Sequence, residues 1–348
     1  MSLASCKKIS APKINTLQGV LGNFGISDKA KLQWIKEGIA QNSFLVKSNK
    51  GNFFLKEYSP ATNRSQILVG LRLNHHLKKR SFPCPDIIFT KEGNFLSDSG
   101  THYYSLHAYL FGHSYHEWSL NHLSKIRLAG LTAYLLANFH MHTNDFQLQE
   151  VPCFPSPSLY SDFQRLKEHI ASSKGGPFML AMKRSFASAE EIVLSCLTLF
   201  SGRNRLFVTS VLHGDWSGNL LFNKWGEPVG VVDYSDVQYG LRIFDLIYAI
   251  LHHAKNKKDQ RVDMQIVFSM LQEYHRAYPL EEEEIAYLPE AILFLRAASF
   301  PKYYETFLSR KRIGHLYKSF LRTAMLLKII ESEKDVMRRY FLEWWRTK

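Results

Sequence analysis

The chain has 348 residues, 45% hydrophobic and 22% charged, a balance that excludes a disordered chain, a collagen-like fibre and a disulfide-stapled mini-protein and allows two or three domains. Basic side chains exceed acidic ones by 44 − 31 = +13, and residues 1–100 hold 15 basic against 6 acidic groups, so +9 of that excess lies there. A basic surface suits polyanionic partners, whether nucleic acid, anionic lipid, acidic polymer or nucleotide phosphates, without choosing among them.

Lys7 and Lys8 are followed by Ile9-Ser10-Ala11-Pro12-Lys13 instead of a long apolar stretch, so no ordinary signal peptide is expected. Ser43–Val46 and Asn52–Lys56 read as strands flanking a turn at Lys47–Gly51. A helix is predicted over Asn63–Lys79, with Ile67, Leu71, Asn74 and Leu77 on one stripe, ended by Pro83 and Pro85. Ile87–Thr90, Asn94–Leu96 and Tyr103–Tyr109 read as further strands, with a turn at Lys91–Gly93. Beyond Gly112 the text changes: Leu123–Met141 is helical, Val151–Pro157 is a proline-marked loop, Leu220–Phe222 and Val229–Val232 are short strands, and helix dominates from Ile243. A β-rich start and an α-rich remainder predict an α+β, two-lobe architecture. No apolar run reaches the roughly 20 residues of a spanning helix, and Cys6, Cys84, Cys153 and Cys196 are scattered without C-x-x-C pairs, as in a reducing, cytoplasmic-type compartment.

The chemistry-bearing text is His213-Gly214-Asp215-Trp216-Ser217-Gly218-Asn219, then Val232-Asp233, then Asp245-Leu246. Asp and Asn share one short loop before a strand, and another Asp ends the next strand, so a two-strand ribbon could bring Asp215, Asn219 and Asp233 together. Amide and carboxylate oxygens are hard ligands suited to Mg²⁺ beside phosphates. A further carboxylate could accept a hydroxyl proton, as phosphoryl transfer requires.

This pattern resembles the aminoglycoside phosphotransferase and choline kinase group, relatives of the protein kinases. Phe53–Lys56 looks like the strand of the ATP-phosphate lysine, Gly38–Ser43 like the phosphate-covering hairpin, Phe82–Pro85 like the exit from the following helix, Tyr109–Gly112 like the hinge, and Leu135–His140 like the helix ending in LA-x-x-H. The resemblance covers about residues 31–250. It implies a two-lobe protein-kinase-like fold, with a small antiparallel-sheet lobe over 1–107, a hinge at 108–112 and a larger, mainly helical lobe over 113–348. It implies ATP and Mg²⁺ as cofactors, Asp215 as catalytic base, Asn219 and Asp233 as metal ligands, Lys56 on the α/β-phosphates, and Asn42, Ser43 and Tyr109 as further nucleotide-binding positions. His213 and Asp245 are expected to brace the catalytic loop. The activity implied is transfer of the γ-phosphoryl of ATP to a hydroxyl of a small molecule.

Two positions depart from the family pattern. Asp215 and Asn219 stand four apart where five is usual, and no acidic residue lies between Glu57 and Asp86 to pair with Lys56. Gln66 and Asn74 offer only neutral oxygens, and strand alternation turns Glu57 to the opposite face. The chain also resembles the spore-coat CotS-like branch of the superfamily in length, lobe layout, worn motifs and the helical end bearing Trp344-Trp345. That resemblance implies an assembly role or a divergent small-molecule kinase role; the alternative it carries is a catalytically weak or silent kinase fold acting as a spore-coat or assembly component, with spore-coat proteins as partners. The histidine clusters His75-His76, His113-x-x-His116, His140-x-His142 and His252-His253 have no zinc spacing and are expected to be packed or at the surface. Glu281–Glu284 is expected to be a solvated helix start. Arg310–Arg312 and Arg338-Arg339 are expected to face solvent instead of nucleic acid. P-loop, Rossmann and G-x-S-x-G patterns do not occur.

Overall fold

The computed structural model describes residues 11–26, 29–35, 42–114, 120–146, 151–173, 175–202, 206–255, 262–308 and 313–348. Cys6, residues 38–41 of the expected phosphate-covering hairpin, His116 and the Arg310–Arg312 patch lie outside them. In chain order the elements begin with α1 (Ala11–Asn23), β1 (Lys31–Ile35), β2 (Asn42–Ser48), β3 (Gly51–Tyr58), α2 (Arg64–Lys79), β4 (Ile87–Ile88), β5 (Ser97–Asp98), β6 (Tyr103–Ala108) and β7 (His113–Ser114). There follow α3 (His122–His142), α4 (Leu159–Ser172), α5 (Pro177–Gly202), β8 (Thr209–Leu212), β9 (Leu220–Phe222), β10 (Pro228–Val231) and β11 (Gln238–Leu241). The rest is α6 (Ile243–Ala254), α7 (Met264–Ala277), α8 (Glu282–Ala286), α9 (Leu288–Ala297), α10 (Phe300–Leu308) and α11 (Ile313–Arg346).

These elements form two units, one comprising Met1–Ser119, Asp145–Val151 and Gly218–Val237, the other Leu120–Asn144, Pro152–Ser217 and Gln238–Lys348. In the first, an antiparallel sheet runs β1-β2-β3-β6-β4, with β5 also on β6. Ser43, Lys56 and Ser105 stand opposite one another across β2, β3 and β6. Side chains alternate along β3: Phe53 and Leu55 join a core with Leu17, Val20 and Leu21 of α1, while Phe54, Lys56 and Tyr58 face a cavity. Glu57 points the other way, as alternation predicts, and pairs with Lys13 at 2.9 Å. The β2–β3 turn closes on Gly51 at φ +127°, a region that side chains disfavour.

Helix α2 starts where expected. The Asn63 side chain accepts from the Ser65 N–H, satisfying one of the free donors at a helix start, and Ile67, Leu71, Asn74 and Leu77 are all buried. Neither neutral candidate partner turns to Lys56: Gln66 donates to the Ser235 carbonyl at 3.2 Å and Asn74 to the Pro85 carbonyl at 2.8 Å. The short strands shift slightly from expectation. Val229–Val232 becomes Pro228–Val231, and the pairing expected at Asn94–Leu96 forms instead at Ser97–Asp98, because the turn begun at Thr90 and Gly93 holds Asn94.

Among the described residues the second unit is mainly helical, its strands being the antiparallel pair β8–β11, and α3 packs along α7. One expectation is corrected here. Glu281–Glu284 does start a helix, but Glu284 is fully buried and holds the Arg242 guanidinium through two bonds of 2.9 and 2.6 Å. Glu284 also accepts the Glu281 N–H, so the run is a cap and a core ion pair as well as a solvated turn. Arg338 is likewise engaged, with Glu290, Asp335 and the Ala286 carbonyl. His140 and His213 are fully buried, and no group of three or more His, Cys, Asp or Glu among the described residues could hold a metal ion. Cys84, Cys153 and Cys196 are free thiols. No helix among the described residues is long and apolar enough to cross a membrane.

Candidate active site

The cavity of the first unit measures about 310 Å³, and Ser43, Lys56, Tyr109, Asn219 and Asp233 all line it. Asn42 is the first residue of β2, opposite Glu57, and is not among the lining residues. One backbone tie closes 218–237 on itself and two more bring it to this wall. The Val232 N–H donates to the Asn219 carbonyl at 2.8 Å and the Val231 N–H to the Pro83 carbonyl at 2.8 Å; His113 and Ser114 of β7 pair with Phe222 and Leu221 of β9. Two glycines permit the approach: a β-carbon on Gly70 would lie 2.1 Å from the Tyr234 carbonyl oxygen, and one on Gly230 3.2 Å from that of Pro83.

Lys56 is the buried cation of this cavity. Its Nζ donates to Asp233 Oδ1 at 2.5 Å and sits 5.4 Å over the Tyr58 ring. Burial opposes its charge, and the oxygens of Tyr58 and Asp233 outweigh that, so its pKa lies above the ordinary lysine value. Asp233 has φ +62°, a left-handed conformation that Asp tolerates better than most residues. Its Oδ1 also takes the Ser235 hydroxyl at 2.6 Å. Behind Lys56 a polar line runs from the Tyr58 hydroxyl through Ser105 Oγ at 3.1 Å to His107 Nε2 at 2.8 Å. Burial, then the Lys56 charge, push the His107 pKa down to about 4, so the ring is neutral at physiological pH.

Asn219 and Asp233 thus present an amide and a carboxylate to one cavity beside a protonated lysine. This donor set fits Mg²⁺, which takes one or two protein oxygens and completes its shell with phosphate and water.

Asp215 belongs to the second unit, in the loop after β8. Asp245 pins this loop as expected of a brace: its carboxylate accepts the His213 N–H at 2.6 Å and the Gly214 N–H at 3.0 Å, with His140 Nε2 3.4 Å away. Gly214 has φ +80°, and His213 is held between Phe139 and Trp216. Trp216 is buried and donates to the Thr132 carbonyl at 3.2 Å. Asp215 Oδ1 accepts the Tyr248 hydroxyl at 3.0 Å. Sequence reasoning missed Tyr248, although it stands three residues after Asp245 on α6 and so on the same helical face. It also missed the Tyr58–Ser105–His107 line, whose period-two spacing on β6 was the available signal.

The sequence model of the phosphotransferase enzyme family matches residues 31–280. The chain belongs to the phosphotransferase enzyme family. Among curated relatives of this phosphotransferase-family chain, the homoserine kinase of Bartonella tribocorum is 25% identical over 134 residues, which span 38% of this chain and 40% of the relative. The homoserine kinase of Parvibaculum lavamentivorans is 22% identical over 273 residues, 78% of this chain and 79% of the relative. Solved structures share the fold. A spectinomycin phosphotransferase in complex with ADP and spectinomycin superimposes with a TM-score of 0.68 at 14% identity, covering 93% of this chain and 99% of that one. A microcompartment-associated aminopropanol kinase gives 0.67 at 15% identity, covering 93% and 98%. An ethanolamine kinase of Plasmodium vivax gives 0.66 at 14% identity, covering 93% and 91%. The kinase-like α+β fold expected from the sequence is therefore the fold of this protein.

Proposed function

We propose that this phosphotransferase-family chain transfers the γ-phosphoryl group of ATP to a hydroxyl of a small molecule. The observation that carries the reading is the cavity in which protonated Lys56, Asp233 and Asn219 converge. In this reading Lys56 neutralises the α/β-phosphates, Tyr109 and Ser43 border the nucleotide, and Asn219 and Asp233 hold Mg²⁺, which when bound shields the phosphate charge. Asp215 accepts the acceptor hydroxyl's proton. The acceptor oxygen bonds to the γ-phosphorus as the bond from that phosphorus to the β,γ-bridging oxygen breaks, and ADP leaves with that electron pair. The work of the chain is positioning and charge compensation. The likeness to aminopropanol, ethanolamine and homoserine kinases supports a small acceptor.

The test is the shift in melting temperature with millimolar Mg-ATP, since a ligand of the folded state must raise it. Wild type is expected to shift, and Asp233→Asn and Lys56→Ala to lose most of the shift. Asp215→Asn keeps the shift and lowers turnover about 10²–10⁴-fold, the usual worth of a positioned general base. An unshifted wild type sinks the reading.

One observation favours a second reading, a silent kinase fold with an assembly role such as the spore coat. With no acidic residue on α2, the ion-pair partner of Lys56 is Asp233 itself. Absence of a Mg-ATP shift in an otherwise folded wild type is the result this second reading expects.

A further inference from the structure

The second unit contains a cavity of its own, about 480 Å³, whose lining includes Gly214, Asp245, Tyr248, Arg296, Lys302 and Tyr303. Tyr248 ties it to the candidate base, because its hydroxyl is bonded to Asp215. The charge inside is unbalanced. Arg296 has its Nε buried without a hydrogen-bond partner, and the groups that favour its charge are the phenols of Tyr303 and Tyr248, not a carboxylate. The cavity carboxylate, Asp245, is occupied by the His213 and Gly214 N–H groups. Arg296 also acts on another cation: burial, then the charges of Arg296 and Arg322, push the pKa of Lys255 at the end of α6 down to about 8. A desolvated guanidinium crowded by other cations is unfavourable until a counter-charge enters. The planar fork of arginine suits an oxyanion, whereas a cationic acceptor would be repelled.

We propose that this cavity seats the acceptor and that the acceptor is oxyanionic, its carboxylate or phosphate held by Arg296 and Lys302 while its hydroxyl reaches toward Tyr248 and Asp215. The assignment of an acceptor rests on the phosphotransferase reading; the oxyanion site does not. Its chemical class is therefore a hydroxy acid or a phosphorylated polyol, not an amino alcohol.

Melting of the full chain with paired probes tests this. The pairs are 4-hydroxybutyrate against 4-hydroxybutyramide, and glycerol 3-phosphate against glycerol; the first identifies a carboxylate site and the second a phosphate site. At least one anion is expected to raise the melting temperature while its neutral partner does not. Arg296→Gln and Lys302→Gln should each weaken its apparent affinity about tenfold or more, the worth of one charge-assisted bond, and leave the Mg-ATP shift intact. Lys302 is exposed, so its variant reports even where loss of Arg296 disturbs folding. Equal shifts from a neutral partner, no shift from either anion, or a shift that survives both substitutions overturns the proposal. So does an anion shift that disappears in Lys56→Ala, which would place the anion in the nucleotide cavity. A lost Mg-ATP response with an intact, Arg296-dependent anion response sinks the phosphotransferase reading and leaves the oxyanion site standing.

Discussion

His107 has its Nδ1 buried without a hydrogen-bond partner, and its pKa falls to about 4 against an ordinary 6.5. Between those values the unfolded chain binds the proton that the folded chain refuses, so this residue adds stability at neutral pH that is lost as the pH drops from 6.5 toward 4. Urea midpoints taken at about pH 7 and about pH 5 should differ less in His107→Gln than in wild type. An unchanged difference would show that His107 does not titrate in this way. Tyr248→Phe deletes one bond to the Asp215 carboxylate. It should lower turnover about tenfold, with the Mg-ATP shift and the melting temperature nearly unchanged, as expected for a residue that positions a base. That Lys56, Asn219 and Asp233 come to one cavity was legible in the sequence because each stands in a short local motif. Arg296 and Tyr248 were not, because what singles them out is the company they keep through folding. A lone arginine on α9 carries no mark that the groups favouring its charge are phenols.

At the scale of elements, α2 and β3 show how far pattern reading reaches. The stripe of α2 and its Asn63 cap were readable because both are local. Helix α1 was not, since Gly19 and Gly22 dilute its apolar face and its partners Phe44, Leu55 and Leu106 come from later strands. The Glu281–Glu284 run was readable as a helix start but not as the partner of Arg242, because that pairing depends on burial. The seam between α2 and the segment after β10 has no room for a side chain at Gly70. Ala is the better helix former by about 1 kcal/mol, yet its β-carbon would meet the Tyr234 carbonyl oxygen, a backbone atom. Gly70→Ala should therefore destabilise by roughly 1–3 kcal/mol in urea unfolding. It should also weaken the Mg-ATP shift, since Tyr234 adjoins Asp233. A neutral or stabilising result would mean that the segment yields without cost.

For the whole molecule, the basic excess of residues 1–100 acquires particular partners. Lys13 pairs with Glu57, Lys78 with Asp86 and Arg80 with Asp145, so a share of it is neutralised by carboxylates near or far in the chain, and Lys56 is held by Asp233. Composition alone could not reveal this, nor could it reveal that the first unit takes its Asn219 and Asp233 from Gly218–Val237. The stretches that carry Lys56 and the Asn219–Asp233 pair are distant in sequence and joined by the Lys56–Asp233 pair, the Val231–Pro83 bond and the β7–β9 strands. Ligand binding should therefore be felt by both together. Hydrogen exchange of the full chain with Mg-ATP is expected to slow amides of β3 and of residues 219–233 in parallel, because bound ligand stabilises against the local openings that expose them. In Asp233→Asn both responses should shrink together. Protection confined to β3, with residues 219–233 exchanging as in the free protein, would show that the nucleotide engages Lys56 without the metal-ligand pair, and the assignment of Asn219 and Asp233 would fall.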